Sequence, residues 1–246
     1  MFRLRRNAPG SGLTPALVLG SPLRMNASSR PVILQLRWSV AAAWADEFDR
    51  WYDEEHLADL CAVPGIRLAR RFVRVVDAPY ASKTEYDHLT LYEADGLAVF
   101  ASPAYRQLAE APSAWTLRIA SACPRTRELA TLLGTPPAPS EPGRAIVHVL
   151  TRADETIRPA FHAWYDEEHL PLLASVPGVR AARRYEIVES EPTGWDFLAI
   201  YELDDVEVAL GGDWLEKGRR TPRRVALGAH MESHVQIYRE VRRRTG

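Results

Sequence analysis

Two histidines each follow a tyrosine by four residues in identical surroundings. Tyr52 and His56 lie in Trp51-Tyr52-Asp53-Glu54-Glu55-His56-Leu57, and Tyr165 and His169 lie in the same seven letters 113 residues later. At that spacing on a helix, the phenol and the imidazole share one face. An imidazole titrates near neutrality and a phenol can donate or orient, so each pair suits acid–base work on an enolisable substrate. The structural alternative is a histidine that caps carbonyls or favours the dipole near a helix C-terminus.

Strand parity supplies further candidates. In Val32-Ile33-Leu34-Gln35-Leu36-Arg37-Trp38, Leu34 and Leu36 alternate with Ile33, Gln35 and Arg37; the counterparts are Val147 and Val149 against Ile146, His148 and Leu150. If the apolar parity faces helices, Gln35 and His148 point the other way, into the space between two sheets. His230, Glu232 and His234 share one parity on a final strand. His148 with these three reads as a polar cavity or as a Zn or Fe(II) site, since imidazole and carboxylate suit both metals. The alternative is a wet outer edge. The first half offers only Leu117, Ile119 and Ser121 at the corresponding positions, so the polar cavity is expected in the second half. His88, whose counterpart is Phe197, could reach in from a third strand. Arg70-Arg71 and Arg183-Arg184 place one guanidinium of each pair where it can hold a carboxylate or enolate. Alternatively, they are surface arginines paired with a motif acid such as Glu55 or Glu168. Catalytic candidates are therefore His169, His148, Tyr165, His56 and Tyr52; substrate-binding candidates are His230, His234, His88, Gln35, Arg183 and Arg70.

These residues need elements to hold them. Beyond the seven letters, Val63-Pro64-Gly65 matches Val176-Pro177-Gly178, and Arg70-Arg71-Phe72 matches Arg183-Arg184-Tyr185, so the chain is a duplicated module. In the first copy, 32–38 reads as a strand and 41–60 as a helix whose apolar stripe is Trp44, Phe48, Trp51, Tyr52 and Leu60. Pro64 and Gly65 stop it. Strands are predicted over 67–76, 86–93 and 115–123, with a helix over 97–110 broken near Pro103. The second copy repeats this with strands at 145–150, 180–188, 195–202 and 230–238, helices at 157–175 and 206–216, and a basic tail. Each module reads β-α-β-β-α-β, a ferredoxin-like unit with one sheet face covered by helices and the other bare. A second copy is the natural cover for the bare face. The fold class is therefore α+β, two ferredoxin-like modules fused into a pseudo-twofold α/β barrel. The division is a leader over 1–30, modules at 31–131 and 144–246, and a Pro-rich linker at 132–143.

The pattern Phe48-x-x-Trp51-Tyr52-x-x-Glu55-His56-Leu57, repeated from Phe161 to Pro171 and closed by Val-Pro-Gly, resembles the EthD-type branch of the dimeric α/β-barrel superfamily. The resemblance implies small-molecule chemistry among cofactor-free monooxygenases, polyketide cyclases, lactone isomerases, haem enzymes and proteins without known activity. It also implies that a dimer of single modules is here fused into one chain.

Bulk properties narrow the classes. A net charge of −1 gives no reason to expect a nucleic-acid partner. No apolar run reaches the ~18 residues needed to span a bilayer. Cys61 and Cys123 stand at non-equivalent positions, which is no disulfide framework and fits a reducing, cytoplasmic setting. Residues 1–30 carry five arginines and no acids, and read as a disordered leader. No phosphate loop, nucleotide fingerprint or nucleophile elbow is present. The expectation is a cofactor-free tailoring enzyme of secondary metabolism. It would act on an aromatic or polyketide-like small molecule by cyclisation, isomerisation or oxygenation, and further homodimerisation is open. A ligand-binding or stress-type barrel, and a metal enzyme on His148, His230, Glu232 and His234, are the alternatives.

Overall fold

Alternation along the first strand sets the layers. In the computed structural model, which describes residues 30–75, 80–135, 141–218 and 221–246, β1 (Val32–Trp38) turns Leu34, Leu36 and Trp38 toward helices and Ile33, Gln35 and Arg37 inward. A 3-10 turn leads into α1 (Ala45–Trp51), a π-helical turn (Tyr52–His56) and α2 (Leu57–Cys61), which bury Phe48, Trp51, Tyr52, Leu57 and Leu60 against that outer face. Gly65 follows at φ +95°, and a Cβ there would meet Val99 Cγ2 at 2.6 Å. Gly178 repeats this against Val208 at φ +89°, so the Val-Pro-Gly turn demands glycine in both copies.

β2 (Ile66–Arg74) and β3 (His88–Ala94) complete the expected run of strands. The second helical region comprises a 3-10 turn, α3 (Pro103–Glu110) and α4 (Ala114–Ala122). The fourth strand, β4, is Arg125–Leu132. The expected strand at 115–123 is thus corrected to α4, whose cap Ser113 accepts the Thr116 amide at 2.9 Å. Leu117, Ile119 and Ser121 therefore belong to a helix and not to the cavity side of a sheet. The second half repeats the order: β5 (Ala145–Ala153), α5 (Arg158–Trp164), another π turn (Tyr165–His169), α6 (Leu170–Ala174), β6 (Val179–Glu191), β7 (Phe197–Leu203), α7 (Val206–Leu210), α8 (Gly212–Lys217), α9 (Pro222–Leu227) and β8 (Met231–Thr245). The expected basic tail is instead part of β8, and His230 stands before it in a 3-10 turn. Residues 1–29 of the leader, Val76 and part of the expected linker lie outside the described residues.

All strand pairs are antiparallel, and the order β1-β3-β2-β8-β5-β7-β6-β4 closes into a barrel. First and fourth strands of each half are neighbours, as expected. Two ferredoxin-like sheets join through β2–β8 and β4–β6, so closure leaves no sheet edge among the described strands. Two cores lie between sheet and helices, one per half. A third comes from strands alone, including Ile33, Phe72, Leu89 and Leu91 with Ile146, Tyr185, Leu198 and Tyr238. It packs the barrel lumen.

Candidate functional site

The π turn determines what the motif residues touch. A π-helix joins residues five apart, where an α-helix would rotate them away from each other. Here His56 stacks on Trp51 with 4.2 Å between ring centroids and meets Tyr52 edge-on at 5.1 Å. In the second half His169 stacks on Trp164 at 4.5 Å and meets Tyr165 edge-on at 5.2 Å. Both imidazoles are half-buried. Burial first, then Arg125 and Arg71, pushes His56 down to about 3. Burial first, then Arg224, pushes His169 down to about 4. Both are neutral at pH 7. The Nε2 atom of His56 has no hydrogen-bond partner in the protein.

The other motif residues are occupied structurally. Glu55 accepts the Trp51 indole N–H at 3.2 Å and the hydroxyls of Ser113 and Thr116 at 2.5 and 2.9 Å, tying the π turn to α4. Glu168 accepts from Trp164 and Thr221 in the same way, tying the second π turn to α9. Arg71 lies over the Tyr52 ring at 4.3 Å and pairs with Asp49 at 2.5 Å; Arg184 lies over Tyr165 at 4.3 Å and pairs with Asp166 at 2.6 Å. The expected pairing with motif acids is present, Arg184 with Asp166 and Arg71 with Asp53 at 3.5 Å, but both arginines are buried rather than on the surface. Thr90 donates to the Tyr52 oxygen at 2.8 Å, yet burial still pushes that phenol up to about 12. Burial also raises Tyr165.

A cavity of about 300 Å³ opens between sheet and helices of the first half. Its floor is Leu34, Leu36 and Trp38; Trp51 and His56 form one wall, Tyr105 and Leu108 of α3 with Thr116 and Leu117 of α4 form the other, and Arg125 and Arg127 lie at the base of β4. The expectation that the first half is mostly scaffold is therefore corrected, for it holds a cavity of its own. In the second half, strand register puts Val147, Val149 and Thr151 where Leu34, Leu36 and Trp38 stand, and Ser233 where Arg125 stands. Tyr80, reaching across from the first half, packs against that core and donates to the Ala209 carbonyl at 2.7 Å. A depression of about 430 Å³ along Arg224, Gly228, Met231 and Ser233 is larger but touches neither His169 nor Trp164.

The polar residues expected between the sheets are there, packed rather than open. Gln35 and His148 are fully buried, and their side chains meet at 2.7 Å. Gln35 gives its amide N–H to Glu128 at 3.1 Å, so its oxygen accepts and His148 carries its proton on Nε2. Glu128 also takes Arg37 at 2.8 Å, with both side chains buried. Burial, then Arg37, holds His148 well below the usual histidine range. The proposed metal set does not converge: His230 is exposed on Asp154 at 3.0 Å, and Glu232 is exposed on Arg152 at 3.0 Å. No group of three metal-binding side chains forms among the described residues. His234 lies on the lumen parity, 3.4 Å from Gln236, and burial lowers it. His88 is corrected as well, for it faces the helices and meets Phe48 edge-on at 5.1 Å, while its counterpart Phe197 packs tilted on Phe161 at 5.0 Å. Arg70 spends its donors on Glu202 and Glu240, both at 2.7 Å, and on the Gly143 carbonyl; Arg183 stands 3.7 Å from Glu202. Sequence reasoning passed over Arg125 and Trp38 in the cavity and Glu128 in the lumen.

No family model matches the chain, and no curated protein matches it in sequence. Solved structures do match. One is an anthrone oxidase-like protein, at TM-score 0.56 and 14% identity, covering 89% of this chain and 94% of that one. The fold is the dimeric α/β barrel. A proposed monooxygenase from Lactobacillus acidophilus superposes at TM-score 0.53 with 13% identity, over 88% and 96% of the two chains. Another from Fusobacterium nucleatum reaches 0.52 with 5% identity, over 88% and 95%. At such identities the likeness is one of fold. Among the described residues no helix is long and apolar enough to cross a membrane.

Proposed function

We propose that this chain is a small-molecule tailoring enzyme that works without an organic cofactor, with its reaction site in the first-half cavity. The carrying observation is that a largely apolar cavity is bordered by a half-buried, neutral imidazole, His56. Such a pocket suits a planar aromatic or polyketide-like carbon acid. His56 takes a proton from the acidic carbon, while Trp51 and Tyr52 fix the ring plane. The resulting carbanion can cyclise, reprotonate elsewhere or reduce dioxygen. In the oxygenation, a ring methylene becomes a carbonyl: one oxygen atom enters, and the other leaves as water with both methylene hydrogens. The names of two fold neighbours, anthrone oxidase-like and monooxygenase, favour oxygenation. The repeated motif aligns the chain with the EthD-type branch.

The test is oxygen uptake with anthrone as probe. Wild type should consume dioxygen and form the quinone, and His56→Gln should lose about 100-fold or more of the rate. Equal rates in the two proteins would end this assignment. The low basicity of His56 also suits a ligand-binding barrel without turnover, which the same assay detects as anthrone binding with no oxygen uptake.

A further inference from the structure

We infer that the cavity selects an aromatic substrate bearing a carboxylate, with the oxyanion held by Arg125. The inference rests on the cavity being the substrate site, and it names the substrate class.

Arg125 enters the lining from the first residue of β4, beside Trp38, and its guanidinium lies over that indole at 5.2 Å. Among the described residues it makes no ion pair within 4 Å, and burial lowers its pKa although Glu191 acts on it from farther away; Arg127, two residues on, is neutralised by Glu189. The cavity carboxylate, Asp59, does not pair with Arg125 either; burial and Glu55 raise its pKa. A cation drawn partly out of water without a contacting counterion is costly unless something supplies the charge. A planar guanidinium offers a carboxylate two parallel hydrogen bonds. An aromatic acid would thus bring its ring against Leu34, Leu36 and Trp51 and its oxyanion to Arg125.

The arrangement ties recognition to chemistry. Burial contributes most to the low basicity of His56, and Arg125 contributes next. An oxyanion against Arg125 cancels that repulsion, so His56 becomes a stronger base once the anionic substrate is in place. A neutral compound such as anthrone fills the same space without that gain and turns over more slowly.

The experiment compares naphthoate with its carboxamide, which has nearly the same shape and no charge, by quenching of the cavity tryptophans. Wild type should bind the acid about ten- to a hundred-fold more tightly, the range of one charge-assisted contact. Arg125→Gln should bind both equally, and Arg125→Lys should recover part of the preference. His56→Gln should keep the preference while losing turnover of anthrone. If wild type binds acid and amide alike, or if Arg125→Gln keeps the preference, the carboxylate assignment is overturned and the cavity reading stands. If neither compound binds wild type, both readings fall together.

Discussion

The His56 imidazole lies almost parallel to the Trp51 indole, at 22° between planes, although the two residues are five apart on a helix. An unbroken α-helix turns such residues well away from each other. The extra residue of the π turn brings them back, and Tyr52, four residues before His56, closes on its other side. Both copies carry this turn and both stack the same rings.

Glu55 keeps the turn in place by holding Trp51, Ser113 and Thr116. Glu55→Ala should lower unfolding free energy by about 1–3 kcal/mol in urea titration, because three donors lose one acceptor. Glu168→Ala should act in the same direction through Trp164 and Thr221. A stability unchanged in both variants would show that the carboxylates are passive.

The depressed imidazoles predict an acid-sensitive fold. His56 titrates near 3 when folded and near 6.5 when unfolded, so its contribution is complete above pH ~6.5 and is lost as pH falls, when only the unfolded chain takes up the proton. His169 acts in the same sense. Between pH 7 and pH 5, His56→Gln should lose up to about 2 kcal/mol less stability than wild type. Parallel melting curves at the two pH values for both proteins would contradict the neutral buried state.

The buried pair Arg37–Glu128 should be sensitive to losing one member. Glu128→Leu alone leaves a buried guanidinium without its partner and should cost about 3–5 kcal/mol. Adding Arg37→Met should restore much of that loss. A double variant as unstable as the single would mean that the wider network, including Gln35 and Thr193, outweighs the pair.

The two motif histidines should differ in function. His169→Ala should leave anthrone oxidation within a few-fold of wild type, since the second-half depression along Arg224 and Ser233 is not lined by His169. A loss as deep as that of His56→Gln would place chemistry in both halves.

The barrel was legible because its determinants are local. Alternation in Val32–Trp38 and Ala145–Ala153 reports which side chains face helices, and Gln35 and His148 turned inward as parity required. The fourth strand was not legible for two reasons. Trp115 to Ala122 is a short apolar run whose type periodicity alone does not settle, and it is a helix. Arg125 to Leu132 looks too polar for a strand because Thr126 and Glu128 face the lumen, where buried partners satisfy them. The cavity could not be read at all. It exists because α3 and α4 stand off from Leu34 and Leu36, a spacing no single segment encodes. The histidine string on the last strand misled for a similar reason, since sharing a parity does not fix depth, and β8 runs out to solvent where Glu232 lies.

The contact between His148 and Gln35 has one more property. The two occupy the same position of the two repeats, and they touch each other, so the pseudo-twofold axis passes between them. In a dimer of two identical chains, a residue on the axis must face its own copy, histidine against histidine or glutamine against glutamine. Here each side differs, which lets the amide oxygen receive the ring proton while its nitrogen serves Glu128. Joining the halves in one chain freed this position from having to complement itself. The same freedom lets one half keep an open cavity while the other takes in Tyr80.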